Sequence, residues 1–492
     1  MSLEKKLSNY VGGAWKRSSA TEYAPILNPA TQEHIADVPH STAAEVDEAA
    51  RAAAAAFPEW RRTPATDRVQ FLFRLKSILE DAKDELARVC TTECGKTFAE
   101  SLGEIRRGIE NIETACGVPT LMQGTNNEDI ARGIDEHMFR QPLGVTSIIA
   151  PFNFPCMIPL WFLPYALATG NCVIVKPSDK CPVTQQRLFE MIDTLGLPPG
   201  VLQLVNGAKE TVDAILDHPT IRSVSMVGST GAARYIYRRA AENGKRVQCQ
   251  GGAKNPVVIM PDADMEMTTN ILADSAFGCA GQRCLALSVG ITVGDARMEF
   301  TERFCAAAEN RVVGYGLDAG VETGPVISKD RVPYLEEMIG VGEREGAKVI
   351  VDGRGKKPRG YEQGNFVYPT VLDEVPHKGE LATTEMFGPV FSLMHARDLD
   401  EAIAMVNDRG YGNMACIFTS DGAAARRFRN EAYAGNIGVN VGVAAPMAFF
   451  PFSGWGDSFF GDLHGQSHHA VEFFTETKVV VERWPREWSR KF

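Results

Sequence analysis

The apolar residues of the first 120 positions repeat mainly with helical spacing. After short strand-like runs over 1–40, the capping-box sequence Thr42-Ala-Ala-Glu45 predicts an Ala-rich helix that continues to about residue 57. Apolar residues three and four positions apart predict two further helices, one after Asp67 and one over 99–116. The N-terminal region is therefore expected to be mostly helical.

From Leu143 onward, compact apolar runs alternate with helical patterns, which is typical of a buried parallel sheet covered by helices. The alternation continues beyond a predicted helix that contains Cys284, and we interpret this later part as a second α/β domain. The predicted strands are 145–150, 172–176, 201–205, 224–227 and 257–260, then 289–293, 348–351, 391–394, 416–419 and 437–440.

Two segments have unusual patterns. Residues 152–168 are nearly all apolar, but the run is short for a membrane span and contains Pro155, Pro159 and Pro164, so we expect a buried helix. The tail over 470–484 alternates like a half-exposed strand. A terminal strand of this kind often finds its partner on another subunit.

Composition restricts the functional class. The chain has 492 residues, of which 44% are hydrophobic and 23% charged, so we expect a globular protein of two or three domains. A net charge of −11 argues against binding to nucleic acid or to an anionic membrane surface. The N-terminal residues lack the apolar core of a signal peptide, and eleven cysteines favour reduced thiols, so a cytoplasmic location is expected.

The strongest candidate for chemistry is the stretch S-A-F-G-C-A-G-Q-R-C-L-A-L, which spans 275–287. Within it, Cys284 follows Arg283 and three small residues that would let a bound molecule approach closely. A cysteine thiolate can attack a carbonyl carbon and form a thioester, although most free cysteines are inert and buried. The role of Cys284 therefore depends on the residues predicted around it.

Three other motifs do not predict a site. Gly95-Lys96-Thr97 resembles the end of a P-loop, but Cys90 stands where that motif requires glycine. Neither the pair Cys90 and Cys94 nor the pair His468-His469 has the further ligands that a metal needs, so no metal is expected. The sequence also lacks the G-x-G-x-x-G motif of the usual dinucleotide fold.

Polar residues follow several predicted strands, where open α/β sheets place their ligands. Asn153 offers an amide donor suited to a developing oxyanion, although a capping role fits this segment equally well. The segment Lys176-Pro-Ser-Asp179-Lys180 offers groups for ribose hydroxyls and phosphate, or it forms a solvated loop. A G-S-T-G turn containing Ser229 opens a helix whose N-terminus suits a pyrophosphate. The stretch E-M-F-G-P places Glu385 and Phe387 just before a strand.

These motifs, in this order and over nearly the whole chain, resemble those of the aldehyde dehydrogenase superfamily. The matching stretches are P-F-N-F-P, K-P-S-D, G-S-T-G, G-Q-R-C and E-M-F-G-P. The resemblance implies an aldehyde dehydrogenase-like α/β fold with two sheet-based domains and a β-strand oligomerisation arm, and hence a homo-oligomer, dimer or tetramer. The implied divisions are 1–122 with 143–256 for the NAD-binding domain, 257–445 for the catalytic domain, and 123–142 with 465–492 for the arm.

The resemblance also implies roles for individual residues. Cys284 corresponds to the nucleophile, and Asn153 together with the backbone N–H of Cys284 corresponds to the oxyanion hole. Family members commonly have Glu where this chain has Asp179. NAD is expected rather than NADP, although the shorter side chain of Asp179 reaches the adenosine ribose less well. The implied NAD contacts are Ala150, Phe152, Lys176, Asp179, Lys180, Ser229, Gly251, Glu385 and Phe387.

One departure from the family pattern changes the expected reaction. Hydrolytic members carry the sequence Glu-Leu-Gly-Gly-Lys, whose Glu activates water, but alignment on Lys254 puts Gln250 at that position and alignment from the left puts Cys249 there. Neither side chain is a carboxylate, so general-base activation of water is lost and a thiol such as coenzyme A is expected to take the acyl group. Together with F-N-F-P-C-M-I-P-L-W and F-F-P-F-S-G-W, this resembles the CoA-acylating methylmalonate-semialdehyde dehydrogenase branch.

In that branch two arginines hold the substrate carboxylate, through pairing that is bidentate and selective. They correspond here to Arg283 and Arg107, with Arg106 as the competing choice. The implied reaction is the NAD-dependent oxidation and decarboxylation of methylmalonate or malonate semialdehyde to propionyl-CoA or acetyl-CoA. The alternatives are a hydrolysing aldehyde dehydrogenase with another base, a different acylating substrate or the reverse reaction, and a catalytically silent protein on the same scaffold.

Overall fold

The computed structural model describes residues 6–484, and two large sheets dominate it. The first sheet has eight strands, of which the five central ones are parallel, while antiparallel strands close both edges. In spatial order its strands are Ala14–Lys16, Asn9–Val11, Leu202–Leu204, Cys172–Lys176, Val145–Ile149, Ile221–Val227, Arg246–Gln250 and Phe459–Phe460.

The second sheet has seven strands, and all of them except its first edge strand run parallel to their neighbours. Every strand that the apolar runs predict lies in one of these two sheets, so the α/β fold class is confirmed. In spatial order the strands of the second sheet are Lys348–Val351, Thr370–Asp373, Val390–Ala396, Leu287–Val293, Asn255–Ile259, Met414–Phe418 and Asn436–Val439.

Helices pack against the sheets and bury their apolar faces. The predicted capping box at Thr42 is confirmed, and its helix extends to Trp60. The longer helices of the described chain are Ala43–Trp60, Ala65–Cys94, Phe98–Ala115, Val183–Asp193, Lys209–Asp217, Thr230–Glu242, Met265–Phe277, Ala296–Glu309, Arg331–Arg344, Leu399–Asn407 and Gly422–Glu431. The shorter ones are Val118–Leu121, Met157–Leu160, Leu163–Thr169, Glu380–Thr383 and Ser467–Phe473.

A smaller antiparallel sheet joins two distant parts of the chain. Strand Ile134–Pro142 lies in its centre, between Asn126–Ala131 and Thr475–Glu482. The last of these strands is an edge strand on which Val479 and Val481 are exposed. Two strand pairs complete the sheets, Tyr23–Leu27 with His34–Pro39 and Tyr411–Gly412 with Trp455–Gly456.

Three local predictions are wrong. The buried segment 152–168 contains two short helices instead of one, because its prolines interrupt the backbone hydrogen bonds. The tail over 470–484 begins with part of helix Ser467–Phe473 before its strand starts at Thr475. Cys284 lies in a turn instead of a helix. Between residues 6 and 484, no helix combines the length and the apolar character needed to cross a bilayer.

Candidate active site

Four adjacent parallel strands of the first sheet end at the same edge, which is where open α/β sheets bind ligands. Strand Val145–Ile149 lies between Cys172–Lys176 and Ile221–Val227, and Arg246–Gln250 follows on the far side of the latter. The residues predicted to contact a cofactor that end or follow these four strands are Ala150, Phe152, Lys176, Asp179, Lys180, Ser229 and Gly251. The structure therefore brings seven of the nine predicted contacts to one sheet edge.

Two features of this edge suit the phosphates and ribose of a dinucleotide. Helix Thr230–Glu242 begins here, and Ser229 caps it by accepting a hydrogen bond of 3.4 Å from the Ala232 N–H. Lys176 is buried, and desolvation lowers the pKa of its ammonium to about 8 although the Asp179 carboxylate opposes that shift. An anionic or hydroxyl-rich ligand would offset the cost of this buried charge.

The remaining two predicted contacts come from the second sheet and meet the first. The ring of Phe387 packs edge-on against that of Phe152, with centroids 5.8 Å apart. Glu385 Oε1 accepts a hydrogen bond of 2.8 Å from the Ala253 N–H. Burial raises the pKa of the Glu385 carboxyl to about 7, although that hydrogen bond and the charge of Lys254 oppose the rise. Residues from both halves of the chain thus meet at one cleft.

Cys284 lies in a turn between the segment 278–281, where Cys279 and Ala280 have positive φ values of 48° and 52°, and the strand that begins at Leu287. Its carbonyl oxygen accepts hydrogen bonds from the side-chain amides of Asn255 and Asn413, each at 2.8 Å. Sequence reasoning missed both asparagines, because no local spacing relates either of them to Cys284. They fix the backbone at the residue that carries the thiol.

The charge state of the Cys284 thiol depends on its surroundings. Burial raises the pKa of this thiol to about 12, and the negative charge of Glu385 adds to the rise. The backbone N–H groups of Cys284 and Leu285 and the charge of Arg283 act in the opposite direction. The protein alone therefore favours the neutral thiol, and a change that neutralises Glu385 lowers the pKa of the Cys284 thiol.

Asn153 is buried in the loop that follows strand Val145–Ile149, and its side chain is directed at the turn that contains Cys284. Its Nδ2 donates a hydrogen bond of 3.0 Å to the carbonyl of Gln282, two residues before Cys284. An amide nitrogen carries two hydrogens, and the second has no acceptor among residues 6–484. This arrangement fits an oxyanion donor, and it does not fit the capping alternative because no helix begins at Asn153.

A cavity of about 410 Å³, its open mouth included, connects Cys284 with Arg107. Arg107 donates to Glu110 at 2.7 Å and to the carbonyl of Pro446. Arg106, the competing choice, is 49% exposed and pairs with acidic residues on the surface. Of the two arginines, Arg107 is therefore the one at the cavity. Aromatic side chains form much of the wall: Phe154, Trp161 and Phe452.

Arg283 borders the same cavity, but protein groups already surround its guanidinium. It donates to Glu100 at 2.8 Å, to Cys279 Sγ at 3.2 Å and to the carbonyl of Asp274 at 3.1 Å. Its guanidinium also packs against Gly278, where an added Cβ would come within 2.6 Å of an Arg283 nitrogen. Arg283 thus braces the nucleophile loop (residues 278–284, which carry the proposed nucleophile Cys284), in addition to facing the cavity.

The structure separates the two alternatives for the water-activating position. Cys249 and Gln250 are successive residues of one strand, so their side chains point to opposite faces. Cys249 is buried in an apolar cluster with Ile149 and Val224. Gln250 Nε2 donates at 3.0 Å to the carbonyl of Phe452, which lines the cavity. Of the two alternatives, the side chain that bonds a cavity-lining residue is therefore an amide.

Comparison with known proteins gives a consistent result. The model of the aldehyde dehydrogenase family matches residues 15–480. Malonate-semialdehyde dehydrogenase 3 of Geobacillus kaustophilus (strain HTA426) is 47% identical over 484 residues, covering 98% of this chain and 100% of the relative. Malonate-semialdehyde dehydrogenase 2 of Geobacillus thermodenitrificans (strain NG80-2) is 47% identical over 483 residues, with coverage of 98% and 100%.

Two solved structures have nearly the same fold. One is a protein from Sinorhizobium meliloti 1021 assigned as a methylmalonate-semialdehyde dehydrogenase and complexed with NAD, with a TM-score of 0.97, 39% identity and coverage of 99% of this chain and 100% of that one. The other is methylmalonate-semialdehyde dehydrogenase from Oceanimonas doudoroffii, with a TM-score of 0.96, 40% identity and the same coverage. These matches extend over both sheets and the cleft between them, and the chain belongs to the aldehyde dehydrogenase family.

Proposed function

We propose that the protein is an NAD-dependent, CoA-acylating dehydrogenase of malonate or methylmalonate semialdehyde. The observation that carries this proposal is the cavity that joins Cys284 to Arg107. The family resemblance supports it, because alignment on Lys254 puts Gln250, whose amide donates to the Phe452 carbonyl, where hydrolytic members carry Glu. The relatives named as malonate-semialdehyde and methylmalonate-semialdehyde dehydrogenases support the substrate class.

The first chemical step is attack of the Cys284 thiolate on the aldehyde carbon. The side-chain amide of Asn153 and the backbone N–H of Cys284 donate to the oxygen as it becomes an oxyanion, and losing one such donor costs about 3–4 kcal/mol of barrier. Lys176, Ser229 and Glu385 would hold NAD, which would supply the acceptor for the hydride that leaves the former aldehyde carbon as the oxyanion collapses. The acyl group then remains on Cys284 as a thioester.

Arg107 and Arg283 hold the substrate carboxylate during these steps. In the acyl thioester this carboxylate lies β to the thioester carbonyl. Carbon dioxide leaves as the carbon–carbon bond breaks, the electron pair passes to the thioester carbonyl, and a proton then returns to the carbon. The coenzyme A thiolate finally attacks the thioester carbon and Cys284 leaves as a thiolate, which gives acetyl-CoA or propionyl-CoA.

One observation favours a second function, which is hydrolysis of the thioester to a free acid. The Glu385 carboxyl acts electrostatically on the Cys284 thiol and has a pKa of about 7, a value suited to a general base. We favour transfer to coenzyme A because Glu385 Oε1 is already engaged by the Ala253 N–H and because a bound cofactor ribose would occupy the rest of the carboxylate.

The experiment that separates these functions combines purified protein, NAD and malonate semialdehyde with and without coenzyme A. NADH and acetyl-CoA are measured together. We expect a burst of one NADH per site without coenzyme A, and sustained turnover with one acetyl-CoA per NADH when it is present. Sustained NADH formation without coenzyme A would support hydrolysis, and the absence of a burst with any aldehyde would indicate a silent scaffold.

The proposal includes the organisation of the chain. Residues 1–122 with 143–256 bind NAD, 257–445 form the catalytic domain, and 123–142 with 465–492 form an oligomerisation arm in a cytoplasmic enzyme; 485–492 lie outside the described residues. The edge position of strand Thr475–Glu482 supports pairing with a second copy. Light scattering after size-exclusion chromatography would distinguish a monomer from the expected dimer or tetramer.

A further inference from the structure

The stretch Gly95-Lys96-Thr97, which resembles the end of a P-loop, occupies a corner between two helices. Gly95 ends helix Ala65–Cys94 with a positive φ of 92°, and Thr97 caps the next helix, Phe98–Ala115. Lys96 lies between these two caps and points inward, with 2% of its side chain exposed. It pairs there with Glu104, whose side chain is 0% exposed. This buried ion pair is not part of the mechanism described above.

The Lys96–Glu104 pair binds the loop that carries Asn153. Lys96 Nζ donates a hydrogen bond of 2.9 Å to the Asn153 carbonyl and lies 4.4 Å from the ring centroid of Phe154. Glu104 Oε1 accepts hydrogen bonds from the backbone N–H groups of Cys156, at 2.8 Å, and Met157, at 2.9 Å. The two charges therefore hold the backbone at both ends of the segment 153–157.

The energetics of such a pair indicate a positional role. Desolvation of two charges offsets much of their attraction, so well-packed apolar residues often stabilise a fold as well as a buried ion pair does. At this place, apolar side chains would leave one carbonyl and two N–H groups of the loop without their hydrogen bonds. What the Lys96–Glu104 pair adds is a defined position for that backbone.

The same helix holds the nucleophile loop. Glu100 accepts hydrogen bonds from the Cys279 N–H, at 2.6 Å, and from Arg283, at 2.8 Å. Residues 100, 104 and 107 are separated by four and three positions, so they share one face of helix Phe98–Ala115. One helix face thus contacts the nucleophile loop, the Asn153 loop and the cavity.

We infer that the Lys96–Glu104 pair positions Asn153 and holds its amide at the point where the oxyanion forms. This inference rests on the proposed function, which supplies the roles of Asn153 and Cys284. Lys96 and Glu104 are positioning residues, because they act through the loop backbone. Their loss should therefore slow the first chemical step with any aldehyde, whether or not the aldehyde carries a carboxylate.

The test compares Lys96→Met, Lys96→Arg and Glu104→Gln with Asn153→Ala and with the double variant Lys96→Met/Asn153→Ala. The readout is the pre-steady-state burst of NADH, measured with malonate semialdehyde and separately with propanal. We expect Lys96→Met and Glu104→Gln to slow the burst at least about tenfold with both aldehydes, and Lys96→Arg to slow it less. In the Asn153→Ala background, Lys96→Met should slow the burst by less than about twofold.

Two further measurements separate positioning from general destabilisation. Lys378→Met is the matched control, because Lys378 is 81% exposed, and it should leave both the burst and the melting temperature unchanged. If Lys96→Met does not fold, the burst of the nearly isosteric variant Glu104→Gln decides the question. A crystal structure of Glu104→Gln should show the distance from Asn153 Nδ2 to the Gln282 carbonyl changed from 3.0 Å.

Two results would overturn the inference. One is a double variant Lys96→Met/Asn153→Ala whose burst rate is reduced by the product of the two single-variant factors. The other is a normal burst rate in the folded Glu104→Gln variant. Failure of the proposed function gives a different pattern, since wild-type protein would then form no burst with either aldehyde. A wild-type burst with propanal but not with malonate semialdehyde would contradict the proposed substrate. The positioning role would then be decided by the burst rates of the same variants with propanal.

Discussion

The guanidinium of Arg283 lies 2.8 Å from the carboxylate of Glu100, so the residue immediately before Cys284 is already ion-paired within the protein. A substrate carboxylate at Arg283 must share that guanidinium with Glu100 or displace Glu100 from it. Arg283 therefore has two roles in the proposed mechanism, because it braces the loop of Cys284 and offers positive charge to the cavity.

Arg283→Leu should reduce kcat/KM for malonate semialdehyde much more than for propanal. The extra loss is expected to be about 2–5 kcal/mol, because the variant removes one partner of a buried charge pair. Propanal should also lose some activity and the melting temperature should fall, since Glu100 is left without its cation. Steady-state kinetics with both aldehydes check this, and equal losses on the two substrates would exclude the carboxylate-binding role.

The adjacent arginines 106 and 107 provide a matched pair. Arg107→Leu should lower kcat/KM for malonate semialdehyde by at least about tenfold while leaving propanal nearly unchanged, because only the former carries a carboxylate to lose. Arg106→Leu should change neither value, since Arg106 pairs with Glu80 and Glu113 at the surface. A selective effect of Arg106→Leu instead would reassign the role to Arg106.

Gln250→Glu should introduce hydrolysis. A carboxylate at this position restores a general base on the cavity side, which is worth about 10²–10⁴-fold when well placed. We expect NADH formation without coenzyme A to continue past the burst, with free acid as the product. Gln250→Met is the control, because it removes the hydrogen bond to Phe452 without supplying a base. Unchanged dependence on coenzyme A in Gln250→Glu would contradict the assignment of this position.

Glu385→Gln should make Cys284 more reactive in the protein alone. The Glu385 charge raises the pKa of the Cys284 thiol, so its removal lowers that pKa, and each unit of decrease raises the thiolate fraction about tenfold. Alkylation by iodoacetamide at pH 8, followed at Cys284 by peptide mass spectrometry, should therefore be faster in the variant. The difference should shrink below pH 7, where Glu385 of the wild type becomes protonated.

A buried polar chain in the second sheet predicts a pH-dependent stability. His395 Nε2 lies 2.6 Å from Asp373 Oδ1, and His395 Nδ1 lies 2.6 Å from Thr292 Oγ1. Burial alone would raise the pKa of Asp373, but hydrogen bonds from His395 and from the Glu374 N–H lower it to about 2. The carboxylate is therefore more acidic in the folded state than in the unfolded state.

Asp373→Asn should lower the melting temperature at neutral pH, and the difference from wild type should narrow in acid. A depressed pKa contributes stability above the unfolded value of about 3.9 and loses it as the pH falls towards 2, which corresponds to about 1 kcal/mol once solvent screening of this partly exposed pair is included. Melting temperatures of both proteins between pH 7 and pH 3 check this. A constant difference over that range would show that the charge of Asp373 is not what stabilises the fold.

The central strands were predictable from sequence because they are buried on both faces and therefore mostly apolar. Strand Val145–Ile149 is buried at every position, so its pattern needs no tertiary information. Strand Arg246–Gln250 was missed because its polar residues alternate with apolar ones in a short, charged stretch. Helix Ser467–Phe473 was missed because an alternating pattern also fits a short helix that contacts protein on one side.

From position in the chain alone, site residues were predictable where they lie next to a strand end, whereas Arg107, which lies on a helix, was identified through the family resemblance. Asn153 and Ser229 lie in the loops that follow parallel strands, and ligands of open α/β sheets bind at those loops, so their positions could be predicted. The hydrogen bond from Asn413 to Cys284 joins residues 129 positions apart, and no periodicity reports such a contact. The partners of Lys96 were likewise not predictable from the sequence. Its motif resembles a phosphate-binding loop, and its hydrogen bond to the Asn153 carbonyl depends on how two helices pack together.

The face of helix Phe98–Ala115 that carries Glu100, Glu104 and Arg107 has a consequence for evolution and design. Seven residues at the pitch of an α-helix separate Glu100 from Arg107 by about 10 Å along the axis. The distance between the parts of the protein that Glu100 and Arg107 contact is therefore fixed by the pitch of the helix. If Arg107 binds the substrate carboxylate as proposed, a longer substrate acid would require a cation on a different turn of the same helix.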